Sequence, residues 1–232
     1  MNARRATTDS NKSTNNRQPL ANINATRVVA SSFGVLAGLT GLIAGFYEMR
    51  QGNVASDGYW ISYIGPGYDM WQDFTYEAFT VLPNLYVAGV LTIITSILLL
   101  AWSVGFIHRR RGASVTLLLS VTLFLVGGAK VYDIGALASL IATRIDTPLT
   151  WWRSHTSAKL RRALSGLWPW STAAYALISL SLLVLTILGV NDPGPLRLIT
   201  VLAGALFIPI PLMIVGGLAH DIQRQDNLNE NT

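Results

Sequence analysis

The stretch SVTLLLSVTLFLVGGAKVYDIGALASLIAT, residues 114–143, decides how the chain is organised. Its thirty mostly apolar residues exceed what one bilayer span needs and fall short of two full spans with a turn. Gly127, Gly128, Lys130 and Asp133 sit at its middle. As one long tilted helix it gives five crossings; as a hairpin turning at Gly127 and Gly128 it gives six. The distribution of Lys and Arg arbitrates, because cytoplasmic segments of membrane proteins collect these residues. With six crossings, fourteen bases fall inside and Arg50, Lys130 and Arg197 outside. With five, the split is nine against seven, and Lys130 is left in mid-membrane. The hairpin is therefore favoured, as helices over about 114–126 and 131–143, each roughly 20 Å long at 1.5 Å per residue. Such helices are short or re-entrant.

Working outward, four further stretches read as spans: residues 28–47, 83–107, 171–190 and 196–219. The second stops against His108, Arg109, Arg110 and Arg111, which enter hydrocarbon only at high cost. The first lacks a small-residue cleavage signature at its end, so it is expected to stay as a helix. Gly34, Gly38, Gly41 and Gly45 lie along it at spacings that let a second helix approach closely. In the last span, Pro209 and Pro211 predict a kink. The expected fold is an all-α polytopic transmembrane bundle over 28–222, flanked by a disordered cytoplasmic tail at 1–27 and a polar tail at 223–232.

Composition agrees. The 232 residues are 51% hydrophobic and 12% charged, too apolar for a soluble domain of this size. The net charge of +5 reads as cytoplasmic bias of a membrane protein, with no nucleic-acid partner expected. No cysteine is present, which removes disulfides, thiolate metal sites and cysteine nucleophiles. His108, His155 and His220 have no zinc-site spacing, and neither a phosphate-binding glycine loop nor a nucleophile elbow occurs. No cofactor or metal is expected.

Two connecting segments have character of their own. Residues 48–82, read as an extracytoplasmic loop, carry Glu48, Asp57, Asp69, Asp73 and Glu77 against Arg50 alone, with aromatics interleaved and an interfacial helix expected near 71–79. Residues 144–170, read as a cytoplasmic interfacial segment, carry Arg144, Arg153, Lys159, Arg161 and Arg162 against Asp146. With Trp151 and Trp152 these bases are expected to meet lipid headgroups, anionic ones above all. The two segments are also the surfaces expected to meet a protein partner or a second copy.

Chemistry has few candidates. Lys130 and Asp133, three apart, would share a helix face and form an ion pair, either lining a cavity or standing at the polar tip of the hairpin. Glu77 and Asn84 flank the start of the second span, and Glu77 facing Glu48 would make a general acid or base or an ion ligand. The leading reading of function is a transporter-like or accessory membrane component whose outer acidic loop and inner basic segment meet other molecules. The alternative is a membrane-embedded enzyme acting on lipid or lipid-linked substrates, with these five residues converging at the outer end of the bundle; a third reading is a structural or stress-related bundle without a small-molecule site.

Gln51-Gly52-Asn53, Leu82-Pro83-Asn84 leading through Ala88-Gly89 to Ala101-Trp102, Leu125-Val126-Gly127-Gly128, Arg144-Ile145 followed by Thr147-Pro148-Leu149-Thr150-Trp151-Trp152-Arg153, and Leu167-Trp168-Pro169-Trp170 together resemble a group of uncharacterised bacterial multispan membrane proteins. The resemblance covers most of the chain beyond residue 30. It implies a multi-pass protein of the cytoplasmic membrane, both termini in the cytoplasm, and no particular substrate. Ala129-Lys130 departs from the more apolar, glycine-rich run that the resemblance implies after the paired glycines.

Overall fold

The computed structural model describes residues 24–62, 77–109, 111–129, 139–143, 150–187 and 201–230, together with Leu137 and Leu198. In chain order the elements are α1 (Ala25–Arg50), β1 (Trp60–Ser62), β2 (Glu77–Thr80), α2 (Leu85–Gly105), α3 (Gly112–Val126), β3 (Gly127–Ala129), α4 (Thr150–His155), α5 (Ala158–Ile187) and α6 (Pro209–Glu230). A helical turn at 201–205 leads into α6. Four helices, Ala25–Arg50, Leu85–Gly105, Ala158–Leu185 and Val201–Leu228, are long and apolar enough to cross a membrane. Large apolar side chains on them stay on the outside, among them Ile94, Leu98, Leu177, Val184 and Val201. In water such faces would be buried; facing lipid they are satisfied, so the chain is an integral membrane protein built of helices.

The stretch that decides the organisation does not form one long helix. α3 stops at Val126 because Gly127 takes φ +133°, a conformation that side-chain-bearing residues rarely adopt. Beyond it the backbone is extended, and β3 becomes the third strand of an antiparallel sheet of order β1-β2-β3. Trp60 pairs with Phe79, Ile61 with Ala78, Ser62 with Glu77, and Ala78 also with Ala129. Val81 N donates to the Leu125 carbonyl at 2.9 Å, fastening β2 across the end of α3. By Ala142 the chain has returned to the opposite end of the bundle, where that residue packs with Ala30, Ile107 and Ala113. Residues 130–136, which include Lys130 and Asp133, lie outside the described residues. Of the interfacial helix expected over 71–79, residues 77–79 are strand instead and 71–76 lie outside the described residues.

α1 is the hub. One side packs on α2 and α3 around Ala37, Leu99 and Leu123. Its other side meets α5 and α6 around Val29, Phe33, Leu36, Tyr175 and Met213, with the Phe33 and Tyr175 rings 4.7 Å apart. The kink expected from the prolines is present as a break in the hydrogen-bond ladder: residues 206–208 form turns with three-residue bonds before α6 resumes at Pro209. Neither proline has an N–H to continue the regular pattern. The polar stretch 223–232 continues as helix to Glu230.

Candidate functional site

Three helices meet along a seam built from glycines and hydroxyls. Gly34, Gly38 and Gly45 of α1 face Ser103, Ser96 and Gly89 of the antiparallel α2, and Gly34 also faces Thr116 of α3. The contacts are backbone-close: a Cβ added at Gly45 would sit 2.7 Å from the Gly89 carbonyl oxygen. Thr92, Ser96, Leu99 and Ser103 form the buried face of α2, and Thr116, Ser120 and Leu123 that of α3. Both sets recur at three- and four-residue steps, the spacing of a single helix face.

Glu48 ends this seam. It stands in the last turn of α1, yet it is 0% exposed, because side chains on a helix lean toward the N-terminus and so carry its carboxyl back between the helices. Thr92 Oγ1 donates to Glu48 Oε2 at 3.2 Å. The same hydroxyl lies 3.2 Å from the Val126 carbonyl oxygen, so one hydrogen has two equidistant acceptors. Thr80 Oγ1 also reaches the Val126 carbonyl at 3.2 Å, bringing the sheet to the site. Gly127 closes the other side, where a Cβ would lie 2.7 Å from both carboxyl oxygens. Only a glycine fits there, so the residue that ends α3 also makes room for the carboxyl. Glu48 Oε1 has no hydrogen-bond partner among the described residues.

The other sequence candidates are placed differently. Asn84 caps α2: its Oδ1 accepts from Val87 N at 3.1 Å and its Nδ2 donates to Asn53 Oδ1. Eight residues along α2 separate it from Thr92, about 12 Å at 1.5 Å per residue, so it does not join Glu48. Glu77 lies in β2 opposite Ser62. In the basic segment, Lys159 and Arg162 are exposed and Trp152 is half-buried. Arg161 is drawn inward, with Nη2 3.9 Å from Asp226 Oδ2 and Nη1 donating to the Thr156 carbonyl at 3.3 Å. Trp151 and Arg153 belong to α4, their side chains outside those described.

A second buried carboxylate escaped the sequence reading. Asp221 of α6, 3% exposed, accepts from Ala25 N at 2.7 Å, Thr26 N at 2.9 Å and Thr26 Oγ1 at 2.5 Å, satisfying the first N–H groups of α1. A negative charge at a helix N-terminus is favourable in itself. Among the described residues, no three His, Cys, Asp or Glu side chains gather as metal ligands would. Around Glu48 the chemistry on offer is one carboxyl, two threonine hydroxyls and one peptide carbonyl, a set suited to a proton or a small monovalent cation. No family model matches the chain, and neither does any curated protein or any solved structure.

Proposed function

We propose that the chain is a transporter-like component of the bacterial cytoplasmic membrane that binds and releases a proton or small monovalent cation at Glu48. The observation that carries this reading is the fully buried carboxyl whose Oε1 lacks a partner among the described residues. A carboxyl so placed is stable with something positive on it, and ionisable groups inside membrane bundles mark ion or substrate pathways. The orientation proposed is both termini in the cytoplasm with six crossings, which rests on the placement of Lys and Arg. The resemblance to bacterial multispan proteins supports the location. Lys159 and Arg162, exposed on α5, are the contacts proposed for anionic headgroups.

The alternative, an enzyme acting on lipid or lipid-linked substrates, has less to rest on, since Asn84 is engaged as a helix cap away from Glu48. The test is flux. Purified protein in sealed vesicles is given an imposed pH or sodium gradient, and the wild type is expected to dissipate one of them while Glu48→Gln does not. Equal leak from the two proteins would sink the proposal. Orientation is checked separately by labelling Ala129→Cys, Thr156→Cys and Pro193→Cys in this cysteine-free chain with an impermeant reagent. Positions 129 and 193 should react from outside and position 156 only after permeabilisation; external labelling at 156 would overturn the orientation.

A further inference from the structure

Resting on the ion-binding role of Glu48, we propose that its ion is the proton and that the buried hydroxyls of the α1–α2–α3 seam are the route connecting it to the end of the bundle where α1 begins.

Ser96 and Ser103 are 0% exposed and Ser120 is 1% exposed, and the hydroxyl of each lacks a hydrogen-bond partner among the described residues. Serine on a membrane helix ordinarily bonds the carbonyl one turn back, as Thr116 does to Gly112 at 3.0 Å and Thr40 to Leu36 at 2.9 Å. The three serines do not, and all three lie on faces turned to one seam. Their order along it follows from the glycine contacts. Ser103 and Thr116 stand at the level of Gly34, Ser96 at that of Gly38, and Thr92 with Gly127 at the carboxyl. Ser120, one turn beyond Thr116 on α3, falls near Ser96. Successive levels are about 6 to 10 Å apart by helix rise, distances that one or two waters bridge. Toward the start of α1, half-buried Ser31 donates its Oγ hydrogen to the Ser103 carbonyl at 2.7 Å, which sets a further hydroxyl beside Ser103 at that end of the row.

The spacing of the oxygens selects the proton. Hydroxyls come at separated levels and Leu100 intervenes at Gly38, so sodium finds no continuous set of oxygen ligands to replace its waters. A proton needs only groups that both accept and donate, as serine hydroxyls and water do. Each oxygen takes a proton on a lone pair and passes its own hydrogen onward. The net change is one proton from the medium converting the Glu48 carboxylate to the acid, with no redox step. Thr92 provides the last exchange: it passes its hydrogen to Glu48 Oε2 and keeps the incoming proton as its new O–H, which turns to the Val126 carbonyl while its oxygen accepts from the newly formed acid. The groups facing the carboxyl are Thr92 from α2, Val126 and Gly127 from the α3–β3 junction, and Thr80 behind them from β2; Arg50 is exposed and lies over the Phe46 ring instead.

The experiment uses full-length protein in vesicles containing a pH-reporting dye, with the membrane potential clamped. Wild type, Glu48→Gln and the triple variant Ser96→Ala, Ser103→Ala, Ser120→Ala are compared, with sodium uptake followed in parallel. Replacing serine by alanine removes only hydroxyls, and an unchanged thermal melt confirms folding. The expected result is proton relaxation in the wild type, its loss in Glu48→Gln, and a slowing of roughly ten- to a hundredfold in the triple variant. Wild-type rates in the triple variant would overturn the route and leave the ion-binding role of Glu48 standing. Sodium uptake without proton flux would overturn the proton assignment alone. Flux of neither ion would overturn both.

Discussion

Glu48 and Asp221 are both buried carboxyls on membrane helices, and the protein treats them in opposite ways. Asp221 receives three donors from the first turn of α1, two of them backbone N–H groups that would otherwise have no partner. Glu48 receives one hydroxyl that it shares with a carbonyl, and its second oxygen receives none among the described residues. Asp221 therefore belongs to what holds the fold together: it docks α6 against the start of α1, alongside Arg224 to Asn24, while Ser165 to Gln223 at 2.8 Å ties α6 to α5. Glu48 is held by less, while Gly127 at the head of β3 lies against its carboxyl and Thr80 of the sheet shares the Val126 carbonyl with Thr92.

The comparison predicts unequal responses to mutation. The largest loss of stability is expected for Asp221→Ala, which strands two backbone N–H groups and a threonine hydroxyl. It should cost about 2–4 kcal/mol, read as a lowered Tm of the purified protein in detergent, with Asp221→Asn intermediate. Next is Gly127→Ala. At φ +133° with its Cβ meeting both carboxyl oxygens, alanine should cost about 2 kcal/mol and displace Glu48 as well. A Tm unchanged by Gly127→Ala would mean that the α3–β3 junction is not fixed as described. Asn84 belongs with Asp221, as a cap. Asn84→Ala should cost about 1 kcal/mol and leave proton flux at the wild-type rate; a flux defect with an unchanged Tm would return Asn84 to the site.

The helices were legible because long apolar runs bounded by charge have few alternatives in a membrane protein, and α1, α2, α5 and the 201–228 stretch all overlap spans read from sequence. The sheet was not. Its strands are three or four residues long, β3 is two glycines and an alanine, and the pairing partners come from three separate segments. No strand that short carries a readable alternation. The start of α5 was also hidden, because Lys159, Arg161, Arg162 and Pro169 look like a boundary, yet the helix begins at Ala158 and runs through the proline. Glu48 stood out as an acid at the end of a span, with Glu77 as its expected partner. What sequence reading missed was that the side chain turns back toward Thr92. The signal was present in the shared spacing of the glycines on α1 and the hydroxyls on α2, residues that pass singly as ordinary small residues of membrane helices. Asp221 gave no such signal, since its partner Ala25 is 196 positions away.

The smallest effect is the most discriminating. Glu48→Gln keeps the shape and the oxygen that accepts from Thr92, and it replaces an acid or a carboxylate by a neutral amide. If the carboxyl carries a proton at rest, the amide resembles it and stability hardly changes. If it is ionised, the substitution removes a buried charge that has no counter-ion among the described residues, and the protein gains stability. Either way the shift should lie between zero and about 1 kcal/mol in the stabilising direction, measured as Tm beside Asp221→Asn, which must lose stability. A fall in Tm for Glu48→Gln equal to that of Asp221→Asn would make Glu48 a second structural carboxylate, held by partners as Asp221 is, and the functional reading of the seam would go with it.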